Sequence, residues 1–370
     1  MLISGPSMNS ELHQPHHHKG VVVPLHETDR GAAVDADDNA SSLTLKLMPL
    51  RRLLDNPRVT EICINRPEEA FVQTYDGWHR EELRFADFGW CRDFAKLVGS
   101  ATKQRIDEVM PILSATLPTG ERVQFVLPPA TRANEVSITI RRPSTRVRTL
   151  DELEAGGLFR QCADSTDELD PGERELVALK EAENYAAFIR RAVQLRKNIV
   201  VSGSTGTGKT TTSNALILEV PQDERLITIE DAEELVMQRH PNSVRLLYSK
   251  GGQGLARVTP KILLESCLRM RPDRVFLSEL RGDEAFDYLR VIAAHPGSIT
   301  SVHGSTARLA LVLIMLLVKQ SDAGQSLNTE DVWSLLYSLV DVVMQFGFDG
   351  RNRFVKEVWY DPHAKRRANR

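Results

Sequence analysis

At 370 residues the chain is longer than one ordinary domain, and its 41% hydrophobic and 26% charged residues exclude a disordered or membrane-embedded protein. Its net charge of −3 carries no basic excess of the kind that marks a nucleic-acid binder. The four cysteines, Cys63, Cys91, Cys162 and Cys267, lie far apart without a C-x-x-C pair, which argues against a zinc cluster or disulfide framework and fits a reducing cytoplasm.

Residues 1–42 are rich in Ser, His, Asp, Gly and Pro without hydrophobic periodicity and read as a flexible extension. They lack a signal-peptide pattern. His16, His17 and His18 have no acidic or cysteine partner at ligand spacing, so they read as tail rather than metal site. A helix is expected from Ser42 to Leu54, stopped at Asn56-Pro57, followed by strands at Val59 to Ile64 and Ala70 to Tyr75, with Asp76-Gly77 as a hairpin turn. A helical pattern over Phe85 to Leu97 and strands at Arg122 to Leu127 and Val136 to Arg141 complete a small α+β domain over 43–142. The charged, turn-rich stretch 143–170 reads as a linker.

Asp170-Pro171 is a helix start, an N-cap acceptor followed by a residue lacking the donor that no first-turn position needs. It opens a second domain, 171–370, in which strands at Asn198 to Ser202, Arg225 to Glu230, Arg274 to Ser278 and Ser298 to Val302 alternate with helical segments. That alternation predicts an α/β fold with a mainly parallel sheet. The ten-residue apolar run Leu309 to Val318, bracketed by Arg308 and Lys319, is too short to cross a bilayer and reads as a core helix. The terminal cluster Lys365, Arg366, Arg367 and Arg370 reads as solvated charge rather than a lipid contact.

The strongest chemical signal is Gly203-Ser204-Thr205-Gly206-Thr207-Gly208-Lys209-Thr210, a G-x-x-x-x-G-K-[ST] match between an apolar strand and a helical segment. Glycines let successive N–H groups turn toward phosphate oxygens at a helix N-terminus. Lys209 is expected at the β and γ phosphates, the Thr210 hydroxyl on Mg²⁺, and Thr211 near the α phosphate. The strand Ile227-Thr228-Ile229 ends in Glu230 and Asp231, which are expected to hold Mg²⁺ through water; carboxylates after a strand also serve simply as helix N-terminal charges. A further strand delivers Glu279, a carboxylate suited to orient and deprotonate the attacking water and to sit beside Mg²⁺. His303, after the last of these strands, is expected to face the phosphates and to sense the γ phosphate.

In order along the chain stand the P-loop, Ile229-Glu230-Asp231, Arg269-Met270-Arg271-Pro272-Asp273-Arg274 leading to Glu279-Leu280-Arg281-Gly282, and His295-Pro296-Gly297-Ser298. Together they resemble the secretion ATPases. Leu117 to Val123 and Val136 to Ser144 extend the likeness into the N-terminal sheet, and over about residues 43 to 362 the chain resembles the hexameric traffic ATPases of Vir/Tra type IV secretion systems. The resemblance implies a RecA-like P-loop domain after a smaller α+β domain and a homo-hexameric ring that hydrolyses ATP with Mg²⁺ to power substrate translocation or pilus biogenesis. It also implies association with the cytoplasmic face of the inner membrane, among inner-membrane components and the system's other ATPases. By motif position it places nucleotide between the domains, with Arg122 and Arg141 reaching the phosphates and Asn65 near the base or ribose. The long linker resembles the subgroup in which the nucleotide domain packs on a neighbour's N-domain. Ser278 stands where the family has Gly or Ala, and Gly304 where it has Ala; neither change removes a chemical group. A type II secretion or pilus-assembly ATPase would share the motor, but the four-cysteine zinc insertion typical of assembly ATPases has no counterpart in these scattered cysteines.

Overall fold

The computed structural model describes residues 42–144, 147–163 and 166–369; the expected flexible extension and its three histidines lie outside the described residues. Helix α1 (residues 42–47) runs through a 3-10 turn at Met48–Leu50 into α2 (Arg51–Leu54). Leu43, Leu47, Leu50, Leu53 and Leu54 recur at helical spacing and are all buried. Strands β1 (Val59–Arg66), β2 (Glu69–Thr74) and β3 (Gly77–Glu82) form a meander, with Gly77 at φ +110° supplying the turn expected at Asp76-Gly77. Helix α3 (Phe88–Ala101) starts three residues later than the sequence pattern suggests, because Asp87 caps it by accepting from the Trp90 N–H. Strands β4 (Ile112–Thr116), β5 (Arg122–Val126) and β6 (Ser137–Arg141) complete an antiparallel sheet of order β3-β2-β1-β6-β5-β4. Strand β4 is absent from the sequence reading; on this five-residue strand only Leu113 is buried, so no alternation announces it.

The stretch read as linker holds one short helix, α4 (Leu150–Ala155), closed by a Thr149/Glu152 capping box and burying no residue. Helix α5 (Pro171–Glu181) opens at the expected Asp170, whose carboxylate caps the Glu173 N–H while Glu173 reaches back. After α6 (Tyr185–Gln194) come β7 (Ile199–Ser202), α7 (Lys209–Leu218), β8 (Leu226–Glu230), β9 (Ser243–Leu247), α8 (Pro260–Cys267), β10 (Arg274–Leu277), α9 (Ala285–Ala294), β11 (Ile299–Val302), α10 (Ala307–Gln320), α11 (Thr329–Leu339), β12 (Val342–Phe348), β13 (Arg353–Tyr360) and α12 (Pro362–Ala368). The second sheet has the order β13-β12-β7-β11-β10-β8-β9, parallel throughout except for the β12–β13 hairpin. Strands β9, β12 and β13 went unread; β13 is an outer strand exposed over five of its eight residues.

The apolar run falls inside α10, where Ala307, Ala310, Leu311, Ile314 and Val318 are buried. No helix among the described residues is long and apolar enough to cross a membrane. Lys365 and Arg366 are not merely solvated: Lys365 pairs with Asp341 at 2.7 Å and Arg366 with Glu173, tying α12 to α5 and to the start of β12. Cys63, Cys91 and Cys267 are buried and Cys162 is exposed, all unbridged.

The two sheets meet through a polar seam. Arg225 is fully buried, and its Nη1 donates to Asn65 Oδ1 at 2.6 Å and to Asn242 Oδ1 at 2.7 Å, while Nε donates to the Met270 carbonyl. The Leu247 N–H reaches the Ala130 carbonyl at 2.9 Å, and Val126 and Ala130 join the core of the second sheet.

Candidate active site

Parallel strands deliver their carboxyl ends to one edge, and the order β7-β11-β10-β8 sets four loops side by side there. They carry the P-loop, His303, Glu279 and Asp231, so residues from four separate stretches line one cavity of about 390 Å³. Its other lining residues include Thr205, Gly206, Gly208, Lys209, Thr210, Thr211, Ser278 and Arg353. Gly208, at φ +95°, is the N-cap of α7 and turns the chain into the helix in a conformation L side chains resist. At Gly203 a Cβ would lie 2.7 Å from Thr207 Oγ1 and 2.9 Å from Phe346 Cβ, so no larger residue fits where the loop leaves β7. Ser204 and Thr207 brace the turn, the Thr207 hydroxyl donating to the Ser204 carbonyl at 2.8 Å.

Lys209 Nζ donates to the Gly203 carbonyl at 2.7 Å and the Ser204 carbonyl at 3.2 Å, and lies 3.4 Å from His303 Nδ1. Partial burial lowers the Lys209 pKa, opposed by Glu279 and assisted by Arg281. On the other side of the ring, His303 Nε2 lies 2.6 Å from Glu279 Oε1. The other Glu279 oxygen accepts from Arg281, whose Nη1 also reaches Asp231 Oδ2 at 2.8 Å. Lys209, His303, Glu279, Arg281 and Asp231 thus stand in one row of close polar contacts, in which Glu279 Oε1 is buried without a hydrogen-bond partner among the described residues.

Two of the expected residues stand outside this cavity. Glu230 is the last residue of β8, still paired in register with Leu247, and is fully buried. Its carboxylate accepts from the Thr228 hydroxyl and from the Glu234 and Leu235 N–H groups, so it folds the 231–235 loop and does not line the cavity. Glu234 stands at the site in its place, its Oε2 accepting from the Thr210 hydroxyl at 2.9 Å. The second is Asn65, which is buried in the Arg225 and Asn242 seam and does not line the P-loop cavity.

Arg122 and Arg141 are likewise not brought to the P-loop of their own chain. They line a separate, larger cavity of about 1120 Å³, which shares no lining residue with the first. Arg353, which the sequence reading missed together with its strand, reaches the P-loop from the β12–β13 hairpin and donates from Nε to the Gly206 carbonyl at 2.7 Å.

The donor set fits a nucleoside triphosphate with its divalent cation. Glycine-rich backbone, a lysine and a helix N-terminus offer positive potential to phosphate, the Thr210 hydroxyl with nearby Asp231 and Glu234 suits a hard cation, and Ser278 Oγ is a buried hydroxyl at the cavity with no hydrogen-bond partner.

A family model described as "Type II/IV secretion system protein" matches residues 44–346. The type IV secretion system protein VirB11 of Bartonella henselae is 44% identical over 344 residues, covering 90% of this chain and 96% of that protein. The VirB11 of Brucella suis biovar 1 is 44% identical over 333 residues, covering 88% of this chain and 92% of that protein. The crystal structure of the VirB11 ATPase from the Brucella suis type IV secretion system, in complex with sulphate, superposes with a TM-score of 0.86 at 44% identity, covering 90% of this chain and 98% of that one. The chain belongs to the type II/IV secretion system protein family, and within it to the Vir-type ATPases of type IV secretion systems.

Proposed function

We propose that the protein works as a ring of six copies that hydrolyses ATP to drive substrate translocation or pilus biogenesis, at the cytoplasmic face of the inner membrane and beside the other ATPases of the machine. The observation that carries this reading is the convergence of Lys209, Glu279, His303 and Asp231 on one cavity. Within it, Lys209 leaves its loop carbonyls for the β and γ phosphates, and the P-loop N–H groups hold the remaining oxygens. Glu279 orients a water in line with the γ phosphorus and takes its proton as the new P–O bond forms; the bond to the β-phosphate oxygen breaks and ADP leaves. Arg281 occupies one Glu279 oxygen and the His303 ring crowds the other at 2.6 Å, so the imidazole moves aside for the base to act, and the γ phosphate is the group that draws it away. Thr210, with Asp231 and Glu234, would hold Mg²⁺, which would supply neutralising charge to the phosphates.

Residues 43–142 and 171–370 act as separate domains on this reading, joined by 143–170. Because Arg122 and Arg141 open on a cavity of their own, we assign them to the nucleotide of an adjacent protomer, where planar guanidinium groups report the γ phosphate across the subunit boundary.

The test is Mg²⁺-dependent ATP hydrolysis together with oligomeric mass for wild type, Lys209→Ala, Glu279→Gln and Arg141→Ala. A hexamer whose turnover is lost in the first two variants and weakened in the third supports the proposal. A monomer that hydrolyses ATP equally well without Lys209 or Glu279 overturns it.

A further inference from the structure

One register row crosses all six strands of the first sheet: Trp78, Gln73, Glu61, Arg141, Arg122 and Thr116 are directly paired in turn. Directly opposed residues point to the same face of a sheet, so Glu61, Arg141 and Arg122 stand side by side. All three line the larger cavity. The arginine side of the row is open, with the Arg141 side chain 66% exposed, whereas the Glu61 side chain is only 6% exposed. Glu61 Oε1 lies 3.5 Å from Arg141 Nε, and its Oε2 is buried with no hydrogen-bond partner among the described residues.

A buried carboxylate with an orphaned oxygen is costly and calls for a reason. Cys63, two residues along β1 and so on the same face as Glu61, is fully buried and shows that this face accepts an uncharged side chain, and a neutral residue opposite Arg141 would leave the guanidinium equally open to the cavity. What the carboxylate adds is a negative charge beside the arginine that is assigned above to a neighbouring γ phosphate.

We infer that Glu61 is a positioning residue for Arg141: an internal counter-ion that holds the guanidinium between turnovers, competes with an incoming phosphate for it, and helps release phosphate after hydrolysis. The inference rests on the assignment of Arg122 and Arg141 to an adjacent protomer's nucleotide. Phosphate arriving at Arg141 carries like charge toward Glu61, so binding is easiest when Glu61 is protonated. Burial pushes the Glu61 pKa from 4.5 up to about 7, against the opposing pull of Arg141, Arg271 and Arg225, which places the proton exchange near neutrality. Those arginines are fixed cations and Cys63, the nearest other titrating group on β1, is held protonated by burial, so Glu61 is the group that changes charge in this range.

The experiment is steady-state hydrolysis by the full-length protein, with KM for ATP, kcat and inhibition by inorganic phosphate measured for wild type, Glu61→Gln, Arg141→Ala and the double variant. Glu61→Gln is expected to lower KM and to strengthen phosphate inhibition, each by up to about tenfold, the scale of one pH unit of charge interaction. Arg141→Ala is expected to raise KM, and the double variant to match Arg141→Ala. A raised KM in Arg141→Ala with no change in Glu61→Gln overturns the counter-ion role and leaves the arginine assignment standing. An Arg141→Ala variant with wild-type KM and kcat overturns the arginine assignment, and the counter-ion role with it. Should Glu61→Gln misfold, the wild-type pH profile decides: KM for ATP is expected to rise between about pH 6 and 8 as Glu61 ionises, and a flat profile refutes the role.

Discussion

Replacing Asn65 with alanine separates the nucleotide contact implied by family resemblance from the seam contact seen in the fold. Arg225 is a cation buried without an acidic partner for its guanidinium; it relies on Asn65, Asn242 and the Met270 carbonyl, and its Nη2 already has no partner. Asn65→Ala removes the 2.6 Å acceptor of that cation and the 3.0 Å donor of Asn242. A hydrogen bond to a charged group contributes about 1.5–3 kcal/mol and a neutral one about 1 kcal/mol, so the expected loss is about 2–4 kcal/mol. For a unit the size of the second half of the chain this corresponds to a fall in melting temperature of about 5–10 °C, measurable by calorimetry. KM for ATP should stay within about twofold, because Asn65 does not line the P-loop cavity and its removal takes no contact from the nucleotide. A melting temperature equal to wild type together with a KM raised about tenfold would refute this reasoning and return Asn65 to the nucleotide.

Glu279→Gln should retain ATP binding but lower kcat by about 10²–10⁴, the span attributed to a general base, and single-turnover hydrolysis at saturating ATP checks it. Glu234→Ala, which frees the Thr210 hydroxyl and removes a water-mediated support for the cation, should raise the half-saturating Mg²⁺ concentration about tenfold with little change in kcat at saturation. Arg353→Ala loses one bond to the P-loop carbonyl of Gly206 and should raise KM for ATP by about two- to tenfold, read from initial rates. Glu61, whose folded-state pKa lies above its ordinary 4.5 at about 7, contributes full stability only below pH 4.5 and loses it as pH rises through 7. Glu61→Gln should therefore leave the melting temperature little changed near pH 5 and raise it near pH 8, by up to about 3 kcal/mol of stability.

What the sequence could reveal depended on whether a feature is local. The P-loop is contiguous and flanked by its strand and helix, so its residues and geometry were readable without a neighbour. Glu279 and His303 were readable because parallel strands put every carboxyl end on one edge, whatever their order in the sheet. Glu230 closes its strand as the pattern suggests, but the ladder with β9, a strand the pattern did not disclose, runs on to it and its side chain is buried. Once Glu230 is buried, its carboxylate folds the following loop back through two N–H groups, and that fold swings Glu234 onto Thr210. One unread strand thus exchanged one carboxylate for another at the site. Arg353 was lost in the same way, since β13 presents mostly exposed residues and reaches the P-loop only through a hairpin.

The arginines illustrate a different limit. Motif position located Arg122 and Arg141, but nothing local relates them to Glu61, because that relation is a register: β1 pairs with β6 and β6 with β5 so that the three fall in one row. A slip of one residue between β1 and β6 would turn Glu61 to the opposite face of the sheet from Arg141 and leave the guanidinium without its counter-ion. Ile62 and Ile64, whose buried side chains fix which face of β1 meets the core, therefore also fix the charge beside Arg141. Hydrophobic packing on one face of the sheet thus sets which charge stands beside Arg141 on the other.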